Sequence, residues 1–375
     1  MRRHLWNVYR LGVKELWSLA RDPAMMVLIV YTFTVTIYLA ATAMPDTLHM
    51  APIAIVDEDG SPLSSRIAAA FYPPHFAPPV RIAQSEVDPG MDAGVYTFVL
   101  DIPPNFQRDV LAGRVPDLQL NVDATRMSQA FAGSGHVQQV AIGEVDEFVR
   151  RYRGTTAPPV DLALRARFNP GLEQSWFGSL MELVNHVTML SIILTGAALI
   201  REREHGTIEH LLAMPVTPTE IMLAKAWSMG LVVLVAAALS LNFVVRGALR
   251  VPVEGSVALF LAGTTLHLFA TSAMGIFMAT LTRSMPQFAL LLMLTLMPLQ
   301  LLSGGVTPRE SMPAFVRDLM ALSPTTHFTA MSQAILFRGA GIDVVWPSFA
   351  ALVAIGAVLF LLSLARFRRT IGQLA

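Results

Sequence analysis

The chain contains no cysteine, so disulfide frameworks, CxxC redox pairs and thiolate metal sites are all excluded. Charge is scarce as well: 14% of residues are Asp, Glu, Lys or Arg, against about 25% in ordinary soluble domains. Lysine occurs only as Lys14 and Lys225, which follow Val13 and Ala224. Neither sits in the Gly-Lys-Ser/Thr setting that a phosphate-cradling loop requires, so the chain cannot hydrolyse ATP by that route; if it uses ATP, another subunit must supply the site. The formal net charge is zero, which argues against a general nucleic-acid binder.

What is abundant is hydrocarbon. Hydrophobic residues make up 54% of the 375 positions, and the mean hydropathy is +0.53. A helix crossing a bilayer needs roughly 20 apolar residues. Uncharged runs of that order occupy Ala24–Ala43, Ala226–Val245, Val257–Leu281, Ser284–Val306 and Val344–Ala365. A shorter run, Val187–Ile200, reaches spanning length when extended back to Trp176. Six spans are expected. With both termini in the cytoplasm, the inner segments carry twelve Lys and Arg and the short outer ones five. That asymmetry follows the positive-inside rule. Ala41-Thr42-Ala43 resembles a signal-peptidase site, but the apolar run before it is too long and starts too late for a signal peptide, so an uncleaved anchor is expected. Ahead of it, in residues 1–23, Leu5, Val8, Tyr9, Leu16 and Leu19 recur near helical spacing among Arg10, Lys14 and Glu15. This pattern fits either an interfacial amphipathic helix or a cytosolic extension of the first span.

Residues 44–175 are polar enough to fold in water and are expected outside. Pro52–Asp57, Val80–Ala83, Val95–Ile102 and Asp117–Asp123 read as strands. Ser61-Pro62 opens a helix to about Phe71, Asn105–Ala112 reads as another that stops at Gly113, and Thr125–Tyr152 as a longer one. An α/β periplasmic domain inserted between the first and second spans of an α-helical polytopic membrane protein is the expected architecture. With ten arginines against sixteen acids it is no nucleic-acid platform. The acidic turn Val56–Ser61 lacks the later ligands of a calcium loop and reads as a solvated turn. Gly133–His136 does not match a nucleophile elbow.

At membrane depth, Glu182, Asn185 and His186 share one helical face near the outer end of the second span, a candidate transport path or a polar helix contact. His267 and Asn242 stand alone and read as bundle contacts. Pro298 and Gly304-Gly305 loosen the fifth span, and residues 307–343 form an outer, re-entrant-like amphipathic segment. A short tail, 366–375, returns to the cytoplasm.

The stretch 201–225, REREHGTIEHLLAMPVTPTEIMLAK, joins the second and third spans. Gly206 closes the second span, Thr207 caps a short helix with Glu209 in its first turn, and Pro215 ends it. Thr217-Pro218-Thr219-Glu220 then matches a capping box launching the third span. The spacing of His205, Glu209 and His210 is one residue too long for the H-x-x-E-H zinc motif, and no third ligand is evident. An exposed apolar side ringed by charge suits a protein contact instead.

This segment resembles the cytosolic loop of bacterial ABC-2-type exporter permeases. LLSGGVTPRESMPAFVRDLMALSPTTHF (Leu301–Phe328) is similar to their late outer signature, and IPPNFQRDVLAGRVPDLQLNVDATR (Ile102–Arg126) to the subgroup with a large insert after the first span. The resemblance implies an inner-membrane subunit with no cofactor of its own, driven by a separate ABC ATPase that binds ATP and Mg. Glu202, Arg203, Glu204, Gly206, Thr207, Glu209 and Pro215 would carry the docking surface. It also implies a dimer with a second copy or a sibling permease, and a periplasmic membrane-fusion adaptor with an outer-membrane channel as further partners. The alternative function is a non-transporting mechanotransmitter that works on periplasmic partners. An intramembrane enzyme finds no nucleophile–base pair.

Overall fold

Among the described residues of the computed structural model, five helices are long and apolar enough to cross a bilayer. The structure describes residues 2–42, 50–123, 127–153, 174–204, 216–307 and 309–372. The chain divides into two units, Met1–Met44 with Ala166–Ala375, and Pro45–Arg165.

In the first unit α1 (Arg2–Ala20) precedes the span α2, Pro23–Thr42. Asp22 caps α2 by accepting from Met25 N at 3.1 Å, with Pro23 at the first helical position. The helix widens to a π-type turn at Thr32–Thr36. α7 (Gln174–Glu204) and α8 (Pro218–Leu239, continued by a π-type stretch to Ala248) are the next two spans. The two wide turns meet: Ser240 Oγ donates to the Phe33 carbonyl at 2.5 Å, a carbonyl that a π-type turn leaves without its usual helical partner. α9 (Val257–Leu281), capped by Ser256, and α13 (Ile342–Gly372) complete the five.

The expected span Ser284–Val306 forms a shorter helix, α10 (Met285–Leu301) of 17 residues. That is about 25 Å long, against about 30 Å of hydrocarbon. Pro298 removes a backbone donor in its last turn, and Gly304 turns the chain at φ +94°. Beyond it the chain forms two short helices, α11 (Ala314–Met320) and α12 (Pro324–Leu336).

α7 is the hub of this unit. Leu180, Leu183, Val187, Leu190 and Leu194 are all buried in one apolar core. Against α9 it also makes polar contacts, Thr188 Oγ1 to His267 Nε2 at 2.8 Å and Ser191 Oγ to Thr271 Oγ1 at 2.6 Å. The two helices approach closely because Gly275 has no side chain: a Cβ there would lie 2.6 Å from the Ile192 carbonyl oxygen.

The second unit is a four-stranded sheet, β1 (Ile53–Asp57), β2 (Val80–Arg81), β3 (Phe98–Ile102) and β4 (Gln119–Val122), in the order β2-β1-β3-β4. β1 runs parallel to β2 and β3, with Ile53 opposite Phe98, and β4 is antiparallel to β3. Each strand lies within a segment where the sequence predicts one. Alternation puts Ile53, Ile55, Phe98 and Leu100 on the face covered by α3 (Pro62–Ala69), α5 (Phe106–Leu111) and α6 (Met127–Arg153). Ala54, Val56 and Val99 face the other way, toward Val87 of α4 (Val87–Asp92). Ser61 caps α3 in a capping box, as its sequence predicts.

Candidate functional site: a charged junction at the end of α7

The last turn of α7 is where charge concentrates. Glu202 is 9% exposed, yet it is held between the two lysines of the chain: Lys14 Nζ at 3.0 Å and Lys225 Nζ at 2.8 Å. Lys225, 2% exposed, also reaches Glu15 Oε1 at 3.0 Å, and Lys14 lies 3.6 Å from the same oxygen. Two ammonium groups and two carboxylates thus form a neutral ring joining α1, α7 and α8. Neutrality matters, because a lone buried ion is several kcal/mol costlier than a paired one, by about that order per ion. Burial pulls the Lys14 ammonium down, but the charges of Glu202 and then Glu15 outweigh it and hold the group above its usual range. Burial drives the Glu15 carboxyl upward, against the pull of Lys225.

Neighbouring residues fix the same junction. Glu220 closes the capping box of α8, accepting from Thr217 N at 2.5 Å while its own N–H donates to Thr217 Oγ1 at 3.3 Å. Its other oxygen accepts from Asn7 Nδ2 at 3.0 Å and faces His4 Nδ1 at 3.0 Å, so the cap also binds α1. Trp227 Nε1 donates to the Val8 carbonyl at 3.1 Å, its ring lying where Gly12 offers no Cβ. Arg201 pairs with Asp22, the cap of α2. Arg203 Nη1 donates to the carbonyls of Ala279 (3.2 Å) and Thr282 (2.6 Å) at the end of α9, where a cation suits the helix dipole. Glu204 accepts from Met285 N at 3.0 Å, at the start of α10. One helical turn therefore touches α1, the cap of α2, and α8, α9 and α10.

Of the residues the sequence points to, Glu202, Arg203 and Glu204 all lie in this junction and all bond within the chain. Gly206, Thr207, Glu209 and Pro215 fall outside the described residues. Glu182 and His186 do come together on α7, with Asn185 on the same helical face: His186 Nε2 is 3.3 Å from Glu182 Oε1 and 2.8 Å from Thr36 Oγ1 of α2. His267 is the bundle contact that its sequence setting suggests: it bonds Thr188 and stacks on Phe328 with ring centroids 4.0 Å apart. The spacing of Thr188, Ser191 and Thr195, opposite His267 and Thr271, is the signal that marks this seam. Sequence reasoning also passes over Lys14, Glu15, Lys225 and Asp22 as a group.

Among the described residues no cluster of three or more His, Asp or Glu side chains is placed to hold a metal. In the acidic turn after β1, Asp57 accepts from Gly60 N at 2.8 Å and Ser64 Oγ at 3.0 Å, and Asp59 from Gln107 N at 3.1 Å. These carboxylates work as caps.

Five apolar helices among the described residues, packed about a central helix with buried polar contacts, define a multi-pass membrane protein. The family described as ABC-2 family transporter protein matches residues 24–365, and the chain belongs to it. Inner membrane transport permease YhhJ of Escherichia coli K12 is 60% identical over 373 residues, covering 100% of both chains. Probable multidrug ABC transporter permease YbhR of the same organism is 28% identical over 375 residues, 99% of this chain and 100% of the relative. YbhS, which carries the same description, is 25% identical over 341 residues, 89% of each. The chain is accordingly a permease of an ABC-2-type transporter.

Proposed function

We propose that the chain is the membrane subunit of an exporter in the bacterial inner membrane, working as paired six-span halves and powered by a separate ABC ATPase. The loop 205–215 is the docking element, with Glu209 and its neighbours facing the ATPase. The α/β unit lies outside and both termini inside, as the arginine distribution supports. The observation that carries the reading is the junction at the end of α7. A push on the loop next to it is transmitted at once to α1, α8, α9 and α10, because Glu202, Arg203 and Glu204 bond to them. Glu182, Asn185 and His186 are the polar groups offered to a substrate along α7. A membrane-fusion adaptor and an outer-membrane channel are proposed as the onward route.

The absence of cysteine makes the chain a ready background for single-cysteine labelling. Gly154→Cys should react with an impermeant maleimide from outside in intact cells, and Pro215→Cys only after the membrane is opened; the reverse pattern refutes the orientation. In inverted vesicles holding the chain and its ATPase, ATP should drive accumulation of substrate. Glu209→Arg should abolish it and release the ATPase while leaving membrane insertion intact. Unchanged co-purification of the ATPase sinks the docking claim. ATP hydrolysis that proceeds without any flux moves the reading to mechanotransmission.

A further inference from the structure

We propose that α1 and the groove between α2 and α8 together bind one anionic phospholipid, its headgroup on the arginine face of α1 and one acyl chain in the groove. The proposal rests on the membrane embedding of these helices and is independent of any transport reading.

α1 buries Gly12, Glu15 and Leu19 against the rest of its unit and turns the opposite side outward. That outward side exposes Trp6, Tyr9 and Trp17 together with Arg2, Arg3, Arg10 and Arg21. Arg10 lies over the ring of Trp6 at 5.4 Å and Arg21 over that of Trp17 at 5.6 Å. Among the described residues none of the four arginines has an ion-pair partner. The single acid of α1, Glu15, is buried on the other side. Indole rings beside unpaired guanidinium groups match the level of a bilayer where hydrocarbon gives way to phosphate.

Leu16 of α1 also lines the end of a groove of about 480 Å³ whose walls come from α2 (Ile29, Val30, Phe33) and α8 (Leu231 to Val244). The fourteen residues from Leu231 to Val244 correspond to about 20 Å, more than the depth of one leaflet's hydrocarbon, about 15 Å. Among the described residues only two polar side chains border it, Thr34 and Ser240. Both hydroxyls are already spent on backbone carbonyls, of Val30 and Phe33. The groove therefore offers a ligand no side-chain hydrogen-bond donor and accepts hydrocarbon. Its continuity with the cationic face through Leu16 selects an anionic phospholipid over a helix of a second copy, which would leave the arginines unmatched.

The test is native mass spectrometry of the full chain released from nanodiscs of mixed phosphatidylglycerol and phosphatidylcholine. The wild type should retain one phosphatidylglycerol several-fold more often than phosphatidylcholine, with the preference falling as salt is raised. Replacing Arg2, Arg3, Arg10 and Arg21 by Gln should remove the preference but not the bound lipid. Ala236→Phe, which fills the groove, should remove bound lipid of either headgroup. Equal retention of both lipids by the wild type, or a preference that is insensitive to salt, overturns the proposal; so does an Ala236→Phe chain that changes oligomeric state while its bound lipid stays. Should the arginine variant fail to insert, the salt series on the wild type decides alone.

Discussion

Lys225 Nζ lies 2.8 Å from Glu202 Oε2, both side chains are buried, and the pair bridges the last turn of α7 and the second turn of α8. The contact fixes the separation of the two helices near their neighbouring ends. It is strong only as part of the ring with Lys14 and Glu15, since each carboxylate needs its cation in a dry setting.

Removing Lys225 should therefore cost far more than removing Lys14. Lys225→Met leaves two buried carboxylates facing one lysine, and breaking a buried pair in this way costs about 3–5 kcal/mol. Lys14 has 52% of its side chain exposed, so its pairing is screened and Lys14→Met should cost about 0–1 kcal/mol. Adding Glu15→Gln to Lys225→Met restores neutrality and should recover much of the loss. Thermal unfolding in detergent measures all three; an unshifted Tm for Lys225→Met refutes the ring as a stabilising unit.

Glu220 makes a second testable link, because one carboxylate serves both the cap of α8 and the docking of α1. Thr217→Ala removes only the cap and should cost about 0.5–2 kcal/mol. Glu220→Ala removes the same cap and also the contacts to Asn7 and His4. Limited proteolysis should then cut α1 faster in Glu220→Ala than in Thr217→Ala. Equal rates would show that the cap alone sets the stability of this corner.

Much of this architecture is legible where the signals are local. Ser61-Pro62 and Thr217-Pro218 announce capped helices within a few residues, and alternation marks the four strands. Hydropathy alone overextends α10, whereas Pro298 and Gly304, which the sequence already marks as loosening this span, lie where the helix gives way. The charged ring is harder still. Lys14 and Glu202 are 188 positions apart and Glu15 and Lys225 are 210, so no periodicity connects them. The one hint is compositional: a chain with only two lysines places both on the same glutamate.

Helix contact at Gly275 yields a sharper contrast. A methyl group there would stand 2.4 Å from Thr195 Oγ1, which can rotate, and 2.6 Å from the Ile192 carbonyl, which cannot. Gly275→Ala should push α7 and α9 apart and cost about 1–3 kcal/mol. At Gly230 of α8 the nearest atom to an added Cβ is Leu268 Cβ at 3.8 Å, an ordinary contact. Gly230→Ala should instead be neutral or gain about 0.5–1 kcal/mol from helix propensity. Paired Tm measurements decide it, and a destabilisation of similar size at both positions contradicts the packing account.

The α/β unit carries a pH dependence of definite sign. His136 of α6 stacks near His75 at 4.8 Å and Phe76 at 5.8 Å. Burial, with the neighbouring His75 adding to it, holds the His136 imidazole below its usual value. The folded unit thus prefers the neutral ring, and below about pH 6.5 the unfolded chain binds the proton more readily. The contribution of His136 to stability is complete above that pH and is lost as pH falls toward the depressed folded value. Hydrogen exchange of residues 53–57 and 98–102 in the intact chain should accelerate between pH 7 and pH 5 beyond the change in intrinsic rate. His136→Leu should flatten that excess, because an apolar side chain in the same place has no proton to bind. Acceleration of equal size in His136→Leu would assign the pH response to other groups.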